Sequence, residues 1–181
     1  MRENTKKFIV QCFWVVVVLF IIRCGVSKPT SYYDCFGFAG ETIGLASILM
    51  VIYERWLWKF SPLEKIPNIN GEYIGNIEYN YNGHPDTKKA TIIIKQSLLS
   101  TNVKITTNEI TSSTITSNFI SENDEFILYY TYITNPKNKY RKENPIQYGT
   151  CRVIVKNKSE LQGIYWTTQQ TIGDIYLKRR D

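Results

Sequence analysis

Residues 8–22, FIVQCFWVVVVLFII, decide the architecture of this chain, because Gln11 is the only strongly polar side chain among them. A membrane-spanning helix usually needs about 20 apolar residues. Lys6, Lys7 and Arg23 flank the segment, and their long side chains can extend its effective length by snorkelling. The stretch therefore predicts a first span at about residues 8–23.

A second apolar segment, CFGFAGETIGLASILMVIY, covers residues 35–53 and contains a single charge, Glu41. It is long enough to cross a membrane, and Trp56, Trp58 and Phe60 follow it as the aromatic residues typical of a membrane–water interface. We predict that residues 1–60 form a two-helix transmembrane hairpin with its second span at about 35–55.

A cleaved signal peptide is the alternative for the first segment. It lacks an A-x-A cleavage site, and Arg23 before Cys24 argues against a lipoprotein signal. Lysine and arginine are more frequent outside the two spans than in the loop between them, so the positive-inside rule places both termini in the cytoplasm. Cleavage of the first segment would leave the tail on the same side.

Glu41 stands among glycines, with Gly40 and Gly44 in a G-x-x-x-G spacing that lets helices approach closely in lipid. Packing of this sector against the first span is the simpler interpretation. A carboxylate inside a span is costly, however, and usually functional. We expect Gly40, Glu41 and Gly44 to line a helix–helix contact used in homo-oligomerisation.

The chain carries no recognisable catalytic or metal-binding motif. Its one histidine, His84, precedes Pro85 in what reads as a turn after Asn82-Gly83, and no G-x-S-x-G, H-E-x-x-H or P-loop occurs. The four cysteines have no metal-binding spacing, although Cys24 and Cys35 could pair in an oxidising outer compartment. We therefore expect no enzymatic activity, no metal and no cofactor.

The net charge of +6 is spread along the chain without the dense basic stripe of duplex-binding proteins. DNA and RNA polymers are therefore not expected partners. A short basic run lies in the loop between Pro136 and Pro145 and would tolerate an anionic ligand or lipid. Charge permits an anionic partner without identifying one.

The tail after residue 60 predicts an all-β fold. Residues 61–70, SPLEKIPNIN, form a proline-punctuated linker, and residues 71–181 contain short runs rich in Ile, Val, Thr and Tyr. We predict strands at 71–81, 90–97, 102–107, 112–121, 125–135, 147–156, 161–168 and 171–178. Roughly eight antiparallel strands suit a small closed barrel, which leaves no exposed edge.

Alternation along the strands predicts which side chains point inward. Leu128, Tyr130 and Tyr132 share one face, as do Leu161, Gly163, Tyr165 and Thr167, and as do Ile92, Ile94 and Gln96. This mixture of aromatic, hydroxyl and amide groups is typical of a ligand pocket. The reverse orientation, with Ile127, Tyr129 and Ile133 inside, is the alternative.

These features together resemble the CD-NTase-associated protein 15 family, the two-transmembrane β-barrel effectors of bacterial CBASS antiphage signalling. The resemblance spans the whole chain and rests on short motifs in a fixed order: Ile69 and Gly71; Leu128, Tyr130 and Tyr132; Gly149 and Thr150; Leu161, Gly163, Tyr165, Thr167, Thr171 and Gly173. Tyr73 stands where tryptophan is expected, and Gln169 where arginine is frequent.

The resemblance implies a function for each half of the chain. The cytosolic barrel would bind a cyclic dinucleotide made by a CD-NTase, and the spans would then oligomerise and disrupt the bacterial inner membrane, killing the infected cell by abortive infection. The residues agree with such a ligand, since bases stack on aromatic rings. Expected contacts are Gln96, Tyr130, Tyr132, Arg152, Tyr165, Trp166, Thr167 and Thr168.

Two other functions remain open from the residues. The first is a membrane-anchored, lipocalin-like carrier of an apolar ligand, which would share the barrel but have a more aliphatic interior. The second is a non-catalytic membrane adaptor with a filled barrel and a protein-binding surface. A cyclic dinucleotide would stabilise neither of them.

Overall fold

The computed structural model describes residues 3–81, 84–142 and 144–180. The chain divides into two compact units. One contains the N-terminal residues up to Glu64 together with Ser97–Leu99, and the other contains Lys65–Gln96 with the remainder of the chain from Ser100. The predicted membrane hairpin lies in the first unit and the predicted barrel in the second.

Two helices form the hairpin. Helix α1 covers Glu3–Val26 and helix α2 covers Tyr32–Ile52, followed by a π-helical turn at Tyr53–Leu57 and a 3-10 turn at Trp58–Phe60. Ser31 caps α2, because its hydroxyl accepts from Tyr33 N at 3.1 Å while Ser31 N donates to Asp34 at 3.0 Å. Asn4–Val26 and Tyr32–Phe60 are each long and apolar enough to cross a membrane.

Helix α2 has two distinct faces. Thr42, Ala46 and Met50 repeat every four residues and are its buried residues. Gly37, Gly40 and Gly44 lie on the opposite side at 100° per residue, and, apart from chain neighbours and the backbone of the same helix, no described atom comes within 4 Å of a Cβ added at any of them. The three glycines themselves therefore do not pack against the first span, contrary to the simpler interpretation of this sector.

Glu41 pairs within the hairpin. Its carboxylate accepts from Arg23 Nε at 2.6 Å, and the Arg23 guanidinium lies 3.9 Å from the centre of the Phe38 ring. The Glu41 side chain nevertheless keeps 61% of its surface exposed. The four cysteines, including Cys24 and Cys35, are free thiols.

The second unit is a closed antiparallel barrel of eight strands, as the sequence predicts. Each strand pairs with its neighbours in sequence, and β8 closes the barrel by pairing with β1 from Tyr73↔Arg179 to Asn80↔Ile172. The strands are β1 Gly71–Tyr81, β2 His84–Gln96, β3 Thr101–Thr106, β4 Ile110–Glu122, β5 Glu125–Pro136, β6 Gln147–Val155, β7 Glu160–Thr167 and β8 Ile172–Arg179.

Strand β2 is longer than predicted, and the expectation that His84 and Pro85 belong to a turn is wrong. Both residues pair with β1, through Tyr81↔His84 and Asn80↔Pro85. Because β3 pairs only with residues 91–96 of β2, the first half of β2 has one partner strand, and there a proline without an N–H is tolerated. The predicted turn at Asn82-Gly83 lies outside the described residues.

The inward-facing residues confirm the predicted alternation on β2, β5 and β7. Ile92, Leu128, Tyr130, Tyr132 and Tyr165 all belong to the buried barrel core. The reverse orientation of β5 is therefore wrong, although Ile127 is also buried, with 1% of its surface exposed. The alternation brings three tyrosines into one interior.

The end of the predicted linker contributes to the barrel core. Ile69 is completely buried, its N–H donates to Gln96 Oε1 at 2.8 Å, and Gln96 Nε2 donates to Pro67 O at 3.0 Å. The buried Tyr73 hydroxyl donates to the Ile69 and Lys158 carbonyl oxygens at 3.1 and 3.0 Å. These bonds close the barrel at the end where β1 begins and β2 finishes.

Candidate functional site

The barrel interior opens into a cavity of about 320 Å³ at the end opposite Gln96. Its wall is formed by the C-terminal ends of β1, β3, β5 and β7 and the N-terminal ends of β2, β4, β6 and β8. Apolar side chains such as Ile77, Ile105 and Ile175 line its deeper part, and polar groups lie nearer its mouth. A concave site with a few convergent polar groups is typical of a small-molecule pocket.

Four tyrosines line the cavity, Tyr79, Tyr132, Tyr140 and Tyr165, and two of them, Tyr132 and Tyr165, each lie against a glycine. A Cβ added at Gly149 would lie 2.4 Å from Tyr132 Cζ, and one added at Gly173 would lie 2.6 Å from Tyr165 Cε1. No larger residue fits at either position without displacing a ring. Gly149 on β6 and Gly173 on β8 therefore leave the space that the Tyr132 and Tyr165 rings occupy.

Tyr130 and Cys151 lie deeper in the barrel. The Tyr130 and Tyr132 ring centres are 5.9 Å apart at an interplanar angle of 47°. Burial raises the pKa of Cys151 to about 12 and raises the pKa of each of the three core tyrosines well above its usual value. At neutral pH these groups are uncharged, so Tyr132 and Tyr165 offer hydroxyl groups and ring faces to a ligand.

An ion pair lies in the cavity wall. Lys88 Nζ on β2 is 2.6 Å from Glu109 Oε2 in the turn between β3 and β4, and it lies 5.2 Å from the centre of the Tyr79 ring. Burial lowers the pKa of Lys88, but its interactions with Glu109 and Tyr79 outweigh burial and leave the pKa raised. Lys88 is therefore a stable cation inside the cavity.

Amide and hydroxyl groups surround the mouth. Gln147 Nε2 donates to Gln169 Oε1 and to Asn144 Oδ1, both at 3.0 Å. Gln147 N donates to Thr134 Oγ1 at 3.0 Å. Thr167 and Thr171 line the adjoining wall. These groups can present both donors and acceptors to the edges of a polar ligand.

The loop between β5 and β6 contributes Tyr140 and Asn144 to the cavity lining. It contains the 3-10 turn Asn138–Tyr140 and four exposed cationic residues, Lys137, Lys139, Arg141 and Lys142. The basic run identified in the sequence therefore lies beside the mouth. A positive rim of this kind attracts anionic ligands at long range.

The structure brings together only part of the expected ligand-binding set. Tyr132, Tyr165 and Thr167 line the cavity, and Tyr130 lies deeper in the core. Gln96 closes the opposite end of the barrel. Thr168 lies exposed in the β7–β8 turn, where its N–H donates to Tyr148 O at 2.9 Å.

Arg152 and Trp166 face outward. Arg152 Nε donates to Tyr129 Oη at 2.9 Å, and its guanidinium pairs with Glu122 at 3.4 Å. Trp166 has 42% of its surface exposed. Both residues alternate with inward-facing neighbours, Cys151 and Tyr165 respectively, which accounts for their outward direction.

Sequence reasoning missed Lys88, Glu109 and Gln147. Lys88 shares its parity with Ile92 and Ile94, and Gln147 shares its parity with Gly149 and Cys151, so alternation could have found both. Glu109 lies in a turn, where no periodic signal exists. Among the described residues, no cluster of histidine, cysteine, aspartate or glutamate could hold a metal ion.

Comparison with known proteins adds a family to this geometry. A family model described as "Cap15, cyclic dinucleotide receptor domain" matches residues 64–179. A protein of Staphylococcus schleiferi named CD-NTase-associated protein 15 is 38% identical over 182 residues, covering 99% of both chains. A protein of the same name from Escherichia albertii is 28% identical over 166 residues, covering 86% of this chain and 80% of its own.

A distant structural likeness also exists. A crystal structure of a DUF3598-family protein of unknown function from Nostoc punctiforme matches with a TM-score of 0.37 and 13% identity. It covers 62% of this chain and 47% of its own. A likeness at this level carries no weight for the fold or the site.

Proposed function

The chain belongs to the CD-NTase-associated protein 15 family and contains that family's cyclic dinucleotide receptor domain, and we propose that the ligand enters the cavity at the open end of the barrel. The observation that carries the proposal is the pairing of two tyrosine faces with a partly buried cation in one cavity. Tyr132 and Tyr165 would stack on or flank a base, and Thr167 and Gln147 would contact its polar edge.

The volume of the cavity suggests how much of the ligand enters. About 320 Å³ lies at the lower end of the range of about 300–1,000 Å³ that is usual for ligand pockets. Two nucleotides joined in a ring are a large occupant for such a space. We expect one nucleotide to be buried and the other to stay at the mouth, where a second copy of the barrel could contact it.

The glycine face of α2 supports the proposed response. Gly40 and Gly44 point away from the buried stripe of α2, and Glu41 beside them remains largely exposed. In lipid, such a face favours close helix–helix contact. Ligand binding would drive homo-oligomerisation through Gly40, Glu41 and Gly44, disrupt the bacterial inner membrane and kill the infected cell, with both termini in the cytoplasm.

The same cavity argues against the two other functions. An apolar ligand would leave the Lys88–Glu109 pair and the Gln147 amide against hydrocarbon, which is unfavourable. A protein-binding adaptor needs no cavity. We propose a receptor and effector role without catalysis, in which the dinucleotide acts by its higher affinity for the assembled state.

Thermal unfolding of the full-length protein in detergent, with a panel of cyclic di- and trinucleotides, tests the proposal. A ligand at about 100 times its Kd stabilises the folded state by about 2.7 kcal/mol. The expected result is an upward shift of Tm with at least one cyclic dinucleotide and loss of that shift in Tyr165→Leu. If no member of the panel shifts the Tm, the proposal that the ligand is a cyclic dinucleotide is refuted.

A further inference from the structure

We infer that Lys88 binds a phosphodiester of the cyclic dinucleotide and that Glu109 is its resident counter-ion, which the ligand must displace. This inference rests on the proposed function and assigns the anion-binding group within the same cavity. It also assigns Glu109 an inhibitory role, because a carboxylate beside the ammonium opposes the entry of a second anion.

The position of Lys88 suits this role. Lys88 is opposite Ile77 in the β1–β2 register and shares the inward parity of Ala90 and Ile92. Its side chain is 32% exposed, so the ammonium lies at the boundary between the apolar depth of the cavity and its open mouth. Among the lining residues that the structure describes, it is the one cation.

Glu109 is held by its turn rather than by Lys88 alone. Thr107 Oγ1 accepts from Glu109 N at 3.2 Å and from Ile110 N at 3.1 Å, and Lys137 N donates to Glu109 O at 2.9 Å. The backbone of Glu109 is therefore fixed, while its carboxylate can rotate away from the cavity. Displacement of the carboxylate requires a rotamer change and no change in the fold.

The residue at position 169 explains why the cation that binds the phosphate lies on β2. Position 169, where the family resemblance leads one to expect arginine, holds Gln169, and its amide oxygen accepts from Gln147. An amide there supplies no charge for a phosphate. The ammonium of Lys88 has three N–H donors and can bind a phosphate oxygen while keeping Tyr79 nearby.

Substitutions of Lys88 and of Glu109 should change the affinity for the cyclic dinucleotide in opposite directions. Lys88→Gln removes the cation and should weaken binding by at least ten-fold, while Lys88→Arg should stay within a few-fold of wild type. Glu109→Gln removes the competing carboxylate and should tighten binding several-fold. Lys89→Gln is the matched control, because Lys89 is the next residue on the same strand, faces outward and gives the same change in charge.

The test is titration calorimetry of the full-length protein in detergent with cyclic di-AMP, cyclic di-GMP and cyclic UMP–AMP, with Tm and far-UV circular dichroism as checks on folding. Wild type binding none of them overturns the proposed function and this inference together. Wild-type binding with Lys88→Gln no weaker than Lys89→Gln overturns the inference alone. Weaker binding by Glu109→Gln overturns the displaced counter-ion, because Glu109 would then be a ligand contact.

Discussion

Gly149→Ala should unfold the barrel at a lower temperature and obstruct the cavity at the same time. The added methyl carbon would lie 2.4 Å from Tyr132 Cζ, 2.5 Å from its Oη and 2.9 Å from the Trp166 carbonyl oxygen. The carbonyl belongs to the paired strand β7 and moves little, so the tyrosine ring must shift into the cavity. The substitution thus links a packing defect to a change in the ligand site.

The magnitude follows from two opposing effects. Overpacking a core by one methyl group costs about 1–3 kcal/mol, and loss of glycine's freedom in the unfolded chain returns about 0.4–1 kcal/mol. The net loss of about 1–2 kcal/mol corresponds to a Tm lower by about 4–15 °C in a small domain. Differential scanning fluorimetry of the full-length protein in detergent measures it.

A double-mutant cycle separates the clash with the Tyr132 ring from the clash with the β7 backbone. Tyr132→Leu removes the atoms that the new methyl group would strike, so Gly149→Ala should cost at least about 1 kcal/mol less in that background. Affinity for a cyclic dinucleotide should fall in Gly149→Ala even below its melting transition. Additive effects of the two substitutions, or an unchanged Tm for Gly149→Ala, would refute the proposed contact.

Three further predictions concern other parts of the chain. Tyr73→Phe should lower the stability of the barrel by about 1–3 kcal/mol, because two carbonyl oxygens lose a buried donor, whereas Tyr176→Phe on the outer face should be neutral in the same denaturant titration. In a variant with Cys12, Cys24 and Cys35 replaced by serine, Cys151 should resist maleimide at pH 8 until the barrel unfolds. A pKa of about 12 leaves a thiolate fraction of about 10⁻⁴ at that pH. Rapid labelling of the folded protein would contradict the burial of Cys151. Glu41→Leu combined with Gly44→Leu should reduce ligand-dependent cross-linking in membranes, while Ile43→Leu should not, and equal yields would exclude this face from assembly.

Alternation in the sequence predicts the inner face of the barrel because that signal depends only on neighbouring residues. It places Leu128, Tyr130 and Tyr132 inside, as the structure confirms. The same rule shows why Tyr165 and Trp166 cannot both face one ligand, since consecutive strand residues point to opposite sides. Only one of these two residues can therefore contact a ligand inside the barrel.

Depth along a strand is a second property that alternation does not report. Gln96 has the inward parity predicted for it, yet it closes the end opposite the cavity. Lys88 is missed for a different reason, because Pro85 predicts a turn and the predicted strand begins only at Ala90. Extending β2 back to His84 places Lys88 on the inner face.

The contact between Glu109 and Lys88 cannot be predicted from any local sequence pattern. Its carboxylate meets Lys88 only because the β3–β4 turn and the start of β2 reach the same end of the closed barrel. That meeting depends on the register of every strand pair between them. A periodicity argument treats each strand alone and therefore cannot supply it.

Pairing of β1 with β8 also has a consequence for the order in which the protein is made. Helices α1 and α2 leave the ribosome before the barrel, and Ile172–Arg179 is the last barrel strand to emerge. Until that strand arrives, β1 and β7 each have only one partner strand and expose an unpaired edge, a state that is prone to aggregate. A nascent or prematurely terminated chain can therefore contain both N-terminal helices without a closed barrel. Translation of the final strand is thus the earliest moment at which the cyclic dinucleotide receptor domain can close.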